Sequence, residues 1–180
     1  PRQRERTDHF AMNKQEIYTL LTERRIPYEV TEHPAVFTME ELSRVEMPYP
    51  ESDAKNLFVR DDKKQHYYLI SVRGDKRVDL KAFRRAQGLR PLSFATAQEL
   101  WEKLALTPGS VTPLGVLNDE SAQVQVYLDE DFRAAPGRIG VHPNENTATV
   151  WLQAVDLMEL IRAHGNPVEM ASIPVRSAGE

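Results

Sequence analysis

The stretch Lys55-Asn56-Leu57-Phe58-Val59-Arg60-Asp61-Asp62-Lys63-Lys64-Gln65-His66-Tyr67-Tyr68-Leu69-Ile70-Ser71-Val72 decides how the chain is read. Asn56–Arg60 is a short apolar run. His66–Val72 is rich in strand formers. Asp61-Asp62-Lys63-Lys64 between them is a polar turn. The three together predict a β-hairpin in the middle of the chain.

Helices surround that hairpin. Upstream, Asn13 is placed to cap a helix running to about Arg25, with Ile17, Leu20 and Leu21 on one face. Pro27 stops it, and Tyr28–Glu32 alternates like a short strand. His33-Pro34 turns the chain. Thr38-Met39-Glu40-Glu41 has the spacing of a capping box and predicts a second helix to about Val45. Pro48-Tyr49-Pro50 breaks it into a loop. Downstream, Asp79 caps a helix over Leu80–Gln87 that Gly88 ends. A short strand follows near Leu92–Phe94. Thr96 and Glu99 form another capping box, before a helix ending near Leu106. After the turn-rich passage Thr107–Gly115, strands are predicted at Gly115–Leu117, Val124–Leu128, Arg138–Val141 and Ala148–Leu152. A last helix covers Ala154–Ala163, with Leu157, Leu160 and Ile161 inward and Gly165 at its end. Both tryptophans, Trp101 and Trp151, are expected in the core. The class is α+β: a single compact domain over residues 12–170, with a mixed, barrel-like sheet surrounded by helices. Residues 1–11 read as a polar arm and 171–180 as a tail.

The 180 residues suit one domain with a core of its own. The chain has no cysteine, which excludes disulfides, thiolate metal sites and a cysteine nucleophile. No apolar run approaches the ~18–20 residues that span a bilayer. Pro1-Arg2-Gln3-Arg4-Glu5-Arg6 lacks the apolar stretch of a signal peptide. A cytoplasmic location is therefore expected, with no membrane partner. The net charge of -4 sets 23 Lys and Arg against 27 Asp and Glu. Between Lys55 and Arg90 stand eleven Lys/Arg and four Asp, a local +7, against -11 for the rest. A basic patch attracts phosphates even on an acidic protein, because salt screens charges beyond about 8 Å. Such a run is equally consistent with a solvated face.

Many chemistries leave no trace. There is no dinucleotide fingerprint, P-loop or His-Glu-x-x-His, and no Gly-x-Ser-x-Gly elbow. The five histidines, at 9, 33, 66, 142 and 164, are isolated, which disfavours a histidine metal site. Three features remain. Lys55-Asn56 opens an apolar strand, where a lysine can hold a phosphate or carboxylate as a point charge and Asn56 can both donate and accept. Its plain alternative is an edge lysine that blocks strand pairing. Gly109-Ser110-Val111-Thr112-Pro113 allows close backbone approach and can aim N–H groups at an ester carbonyl. Its alternative is a helix-to-strand connector. Gly140-Val141-His142-Pro143 lies between two strands, and His142 can donate to a ribose or carbonyl or act as a base. Its alternative is a hairpin loop.

In this order, Lys55-Asn56-Leu57-Phe58, Gly109 through Gly115 and Gly140-Val141-His142-Pro143 resemble the YbaK/ProRS-associated domain family. His33-Pro34-Ala35-Val36-Phe37-Thr38 and Thr147 through Leu152 are similar to it too. The likeness runs from about Lys14 to His164, and is strongest to the family's free-standing bacterial deacylases of alanyl-tRNA(Pro). It implies a mixed α/β barrel-like fold and hydrolysis of the ester that joins a wrong amino acid to the 3′-adenosine of tRNA(Pro). It implies no metal or organic cofactor. Carried over by position, Lys55 is the essential lysine that serves the substrate's 3′ end, with Asn56 beside it. Gly109, Ser110, Val111, Thr112 and Pro113 are the loop that positions the ester through backbone groups, N–H groups near Gly109 and Ser110 binding the oxyanion. His142, after Gly140, stands near the terminal adenosine. Ile26, Tyr28, Val30 and Phe37 are candidate walls of a steric pocket, each also suited to plain core packing. Lys63, Lys64, Arg73, Lys76, Arg77, Lys81, Arg84 and Arg85 are candidates for acceptor-stem phosphates. Prolyl-tRNA synthetase is a transient partner on this reading. Two alternatives stay open: a same-fold deacylase for Cys- or Ser-charged tRNA, and a non-catalytic tRNA-binding or regulatory module.

Overall fold

The structure is a computed structural model and describes residues 11–35, 40–41 and 45–177. The arm at residues 1–10, the capping-box residues Thr38 and Met39, and Phe37 lie outside the described residues.

The predicted hairpin forms. β2 (Ala54–Asp61) pairs antiparallel with β3 (Tyr67–Arg73), with Lys55 opposite Val72 and Asn56 opposite Ser71. It is the centre of a five-stranded sheet in the order β4-β2-β3-β5-β8. β4 is Leu92–Phe94, β5 is Gln125–Asp129 and β8 is Val168–Ala171. β3, β5 and β8 run parallel, so the sheet is mixed. A second sheet holds β1 (Tyr28–Glu32), β7 (Ala148–Gln153) and β6 (Arg138–Val141), all antiparallel. Among the described residues one isolated bridge, Asp53 with Gly140, links the two sheets. The expected mixed sheet is thus present, but it is two sheets, and neither closes into a barrel.

The helices follow their caps. Asn13 and Glu16 form a capping box for α1 (Lys14–Glu23). Asp79 accepts from the Ala82 N–H at the start of α2 (Leu80–Gln87), and left-handed Gly88 ends it. Thr96 and Glu99 box the start of α3 (Ala97–Leu104). α4 (Ala154–His164) ends at left-handed Gly165.

Both faces of the five-stranded sheet are covered. Phe58, Leu69, Val126 and Leu128 face the main core with α1, α3 and α4. Leu57, Val59, Ile70, Val72 and Tyr127 face a smaller core closed by Phe83 of α2 and by Ala171 and Ile173. Among the described residues no helix is long and apolar enough to cross a membrane.

Three expectations fail. Gly115–Leu117 is no strand: Pro113–Asn118 is a 3-10 helix. Pro113 suits its first position, the Thr112 hydroxyl caps the Leu114 N–H, and a Cβ on Gly115 would meet Leu106 Cδ1 at 2.4 Å. β8 is an unpredicted strand, because four residues with a central Glu169 carry little apolar pattern. Trp101 is 45% exposed, whereas Trp151 is buried at 2%.

Candidate active site

The ends of β2, β6 and the loop before the Pro113–Asn118 helix converge where the two sheets meet. Residues along β2 alternate in direction. Asn56 leaves on the main-core face and Lys55 on the α2 face.

Asn56 fixes the first loop. The Ser71 hydroxyl donates to Asn56 Oδ1 at 2.5 Å, which orients the amide so that Nδ2 donates to the Val111 carbonyl at 3.2 Å. Thr112 fixes the second. Its buried hydroxyl donates to the His142 carbonyl at 2.7 Å while accepting the Leu114 N–H at 3.3 Å. Asn56, the Gly109–Pro113 loop and the His142 loop are therefore one hydrogen-bonded unit. The Ser110 N–H is spent on the Thr107 carbonyl in the turn Pro108–Ser110. Among the described residues the Gly109 N–H has no acceptor outside its own turn, while the Val111 N–H closes the Pro108–Ser110 turn.

His142 lies with its Nδ1 2.8 Å from the Ala148 carbonyl. A carbonyl only accepts, so Nδ1 carries the proton and Nε2 keeps a lone pair. Burial first, and the neighbouring His33 second, hold His142 below the usual histidine pKa against the pull of Ala148. His33 stands 6.0 Å away between ring centres. Its own Nδ1 bonds the Pro34 carbonyl and its Nε2 the Thr149 hydroxyl. His33 is not among the expected site residues; its signals in the sequence are the His-Pro turn and its place in a stretch that resembles the family. It also borders a cavity of about 490 Å³ with Glu32, Pro34, Ala35, Glu41, Val45 and Glu46. A larger cavity of about 650 Å³, beside Trp101 and Lys103, is lined by none of these site residues.

Gly140 is explained by packing. A Cβ there would lie 2.3 Å from the Trp151 ring, which Thr31 and Tyr49 hold in place. Asp53, its bridge partner, was missed by sequence reasoning. Burial pushes its carboxyl up to about 6, against the one stabilising Ala54 N–H.

Lys55 does not join the neutral unit. Its ammonium donates to the Lys76 carbonyl at 3.4 Å. Lys76 was a candidate phosphate contact, but its ammonium is held between Asp129 and Asp131, each at 2.5 Å. Arg73 Nε donates to the Glu51 carbonyl. Lys63 and Lys64 are exposed on the β2–β3 turn, at the far end of β2 from Lys55. Arg77, Lys81 and Arg85 are exposed at or before α2, with Arg84 half-buried. Ile26, Tyr28 and Val30 are half-buried against the main core. Tyr28 stacks on Tyr18 and its hydroxyl donates to the Tyr18 carbonyl.

Comparison with known proteins fits this arrangement. A family model described as the aminoacyl-tRNA editing domain matches residues 33–160. The chain is 40% identical over 153 residues to the prolyl-tRNA editing protein ProX of Acetoanaerobium sticklandii, covering 85% of this chain and 93% of that one. It is 33% identical to prolyl-tRNA synthetase associated domain-containing protein 1 of Mus musculus, covering 77% and 83%. The fold superposes with a TM-score of 0.68 and 24% identity on a solved candidate trans-editing enzyme for prolyl tRNA synthetase, covering 91% and 97%.

Proposed function

The chain belongs to the aminoacyl-tRNA editing domain family, and on that footing we propose that it is a trans-acting aminoacyl-tRNA deacylase that clears mischarged tRNA(Pro), with alanine as the amino acid removed. The relatives' names support tRNA(Pro) editing; alanine rests on the sequence resemblance. The observation that carries the reading is the bridged unit of Asn56, the Gly109–Pro113 loop and the neutral His142. It is a preorganised polar site next to a lysine, with no nucleophile elbow.

An aminoacyl ester is already activated, so the site need only hold it, polarise its carbonyl and admit an oriented water. The water oxygen bonds to the carbonyl carbon, and the carbonyl oxygen takes up negative charge. The bond from that carbon to the ribose 3′ oxygen then breaks, and the 3′ oxygen takes a proton. The Gly109 N–H, at the head of this loop, is the donor available to the oxyanion. His142 Nε2 accepts from a hydroxyl of the terminal ribose, whose neighbouring hydroxyl orients the water. Lys55 is a positioning charge for the 3′ end, reaching it around the start of β2. Ile26, Tyr28 and Val30 are the candidates for the wall of the amino-acid pocket, and Phe37 remains a sequence-based candidate. A tight pocket admits alanine and excludes proline, whereas attraction alone distinguishes a methylene by only ~1–3 kcal/mol. The acceptor stem lies against Arg77, Lys81, Arg84 and Arg85, and prolyl-tRNA synthetase is a transient partner.

The test is deacylation of tRNA(Pro) charged in turn with Ala, Ser, Cys and Pro. Fast loss of Ala with Pro spared is expected. Equal rates on Ala and Pro remove the sieve; a clear preference for Ser or Cys moves the protein to the same-fold alternative; no hydrolysis of any ester removes the enzyme.

A further inference from the structure

We infer that Lys76 is a positioning residue that acts through Lys55, and that the Asp129–Lys76–Asp131 cluster is the device that sets where Lys55 points. The inference rests on the reading of Lys55 as the anchor of the substrate's 3′ end.

A lysine is a point charge on a flexible four-carbon stem, so its usefulness as an anchor depends on what holds the ammonium. Among the described residues Lys55 has one hydrogen-bond partner, the Lys76 carbonyl at 3.4 Å. One contact leaves two N–H donors for a substrate. That carbonyl sits in the turn between β3 and α2, and the turn is fastened at several points. The Gly74 N–H donates to the Asp53 carbonyl, and the Lys76 N–H to the Arg73 carbonyl. The strongest fastening is charged. Lys76 Nζ lies 2.5 Å from both Asp129 Oδ2 and Asp131 Oδ2. Asp129 is only 1% exposed, and its other oxygen accepts the Asp131 N–H at 3.0 Å. Burial works against the charge on Lys76, but the two aspartates outweigh it and hold the ammonium above the ordinary lysine range. The same ion pair holds Asp131 below the ordinary carboxylate range. Lys76 therefore brings its backbone to Lys55 and its charge to the end of β5. A lysine engaged by two carboxylates is poorly placed to bind a phosphate as well.

The test is a double-mutant cycle in the full-length protein on aminoacyl-tRNA. Lys76→Ala is expected to raise KM roughly tenfold, the cost of leaving a long side chain unfixed, with little change in kcat. Asp131→Asn, at the half-exposed end of the cluster, is expected to act in the same direction and to fold normally even if Asp129→Asn does not. Lys76→Arg is expected to restore most of the loss. In a Lys55→Ala background Lys76→Ala is expected to add nothing, because the two share one route. Additive losses in that cycle would overturn the inference while leaving Lys55 as anchor. So would a fall in the salt slope with Lys76→Ala but not with Asp131→Asn, the mark of a phosphate ligand. Full activity of Lys55→Ala alone would remove the anchor and this inference with it.

Discussion

The two faces of β2 at its first residues are built on opposite principles. On the main-core face Asn56 is held by neutral hydrogen bonds from Ser71 and to Val111. On the α2 face Lys55 meets the Lys76 turn, behind which a charged triplet is closed. Neutral bonds in a partly buried site are short-ranged and set geometry. Charges near the surface reach further and weaken with salt. The neutral face is thus suited to orienting an ester, and Lys55 with the basic side chains of α2 to gathering a polyanion. One strand serves both because its side chains alternate.

The largest effects should come from removing either face. Lys55→Ala is expected to lower kcat/KM about 10²–10³-fold, the scale of truncating one partner of a hydrogen-bonded charge pair, and to do so mainly through KM. Asn56→Ala is expected to cost about 10²-fold, as a misplaced loop does, and to appear mainly in kcat. Steady-state kinetics on Ala-tRNA(Pro) separate the two. If both variants fall on the same constant, the division of labour is wrong.

Next in size is a stability effect at the junction that aligns the faces. Gly140→Ala drives a methyl into the Trp151 ring, which has little room to move. A loss of about 1–3 kcal/mol is expected, read from urea unfolding. An unchanged midpoint would mean that the sheets meet more loosely than the Asp53–Gly140 bridge implies.

Two pH effects follow. Asp53 carries a carboxyl raised to about 6. Its unfolded value is about 3.9, so folding favours the protonated acid. Ionising it in the fold therefore costs stability as pH rises from about 4 to about 6, with the cost constant above. Asp53→Asn can keep the bond from Ala54 and removes that cost. It is expected to stabilise the protein by about 1–2 kcal/mol at pH 8 and by little at pH 4. A benefit of equal size at both pH values would contradict the burial argument. His142 is shifted the other way. Its neutral form persists below the ordinary histidine range, so the acid limb of kcat/KM is expected below pH 6.5 and to be absent in His142→Gln.

Much of this was legible in the sequence, for reasons that separate by distance. The hairpin and the caps at Asn13, Asp79 and Thr96 are local, and each is settled by a few neighbouring residues. The failures are non-local. Gly115 was read as strand because its burial against Leu106 is invisible in a local pattern. The Val111 carbonyl meets Asn56 across 55 residues, and His142 meets Thr112 across 30. The order of the motifs brought these residues to attention, but only tertiary pairing showed that they are bonded together. Lys76 was counted as free charge because the Asp129 that engages it lies 53 residues away. Period-two alternation already implied that Lys55 and Asn56 point apart.

The smallest effect tests which part of the +7 segment matters. Lys63 and Lys64 lie on the β2–β3 turn, and Lys55 near the opposite end of an eight-residue strand. At ~3.3 Å per residue the two ends are about 25 Å apart, several Debye lengths at physiological salt. α2 covers the same face of the sheet as Lys55, through Phe83. Lys81, Arg84 and Arg85 are thus the charges positioned to act with it. Replacing Lys81 and Arg85 by Ala is expected to lower tRNA affinity and to reduce the salt slope by about 0.9 for each lost phosphate contact. The Lys63→Ala, Lys64→Ala pair is expected to change affinity less than about twofold, as surface substitutions away from a site do. If the turn lysines carry the salt dependence instead, the acceptor stem runs along the length of the hairpin, and the contrast between the two faces of β2 is no guide to where the RNA lies.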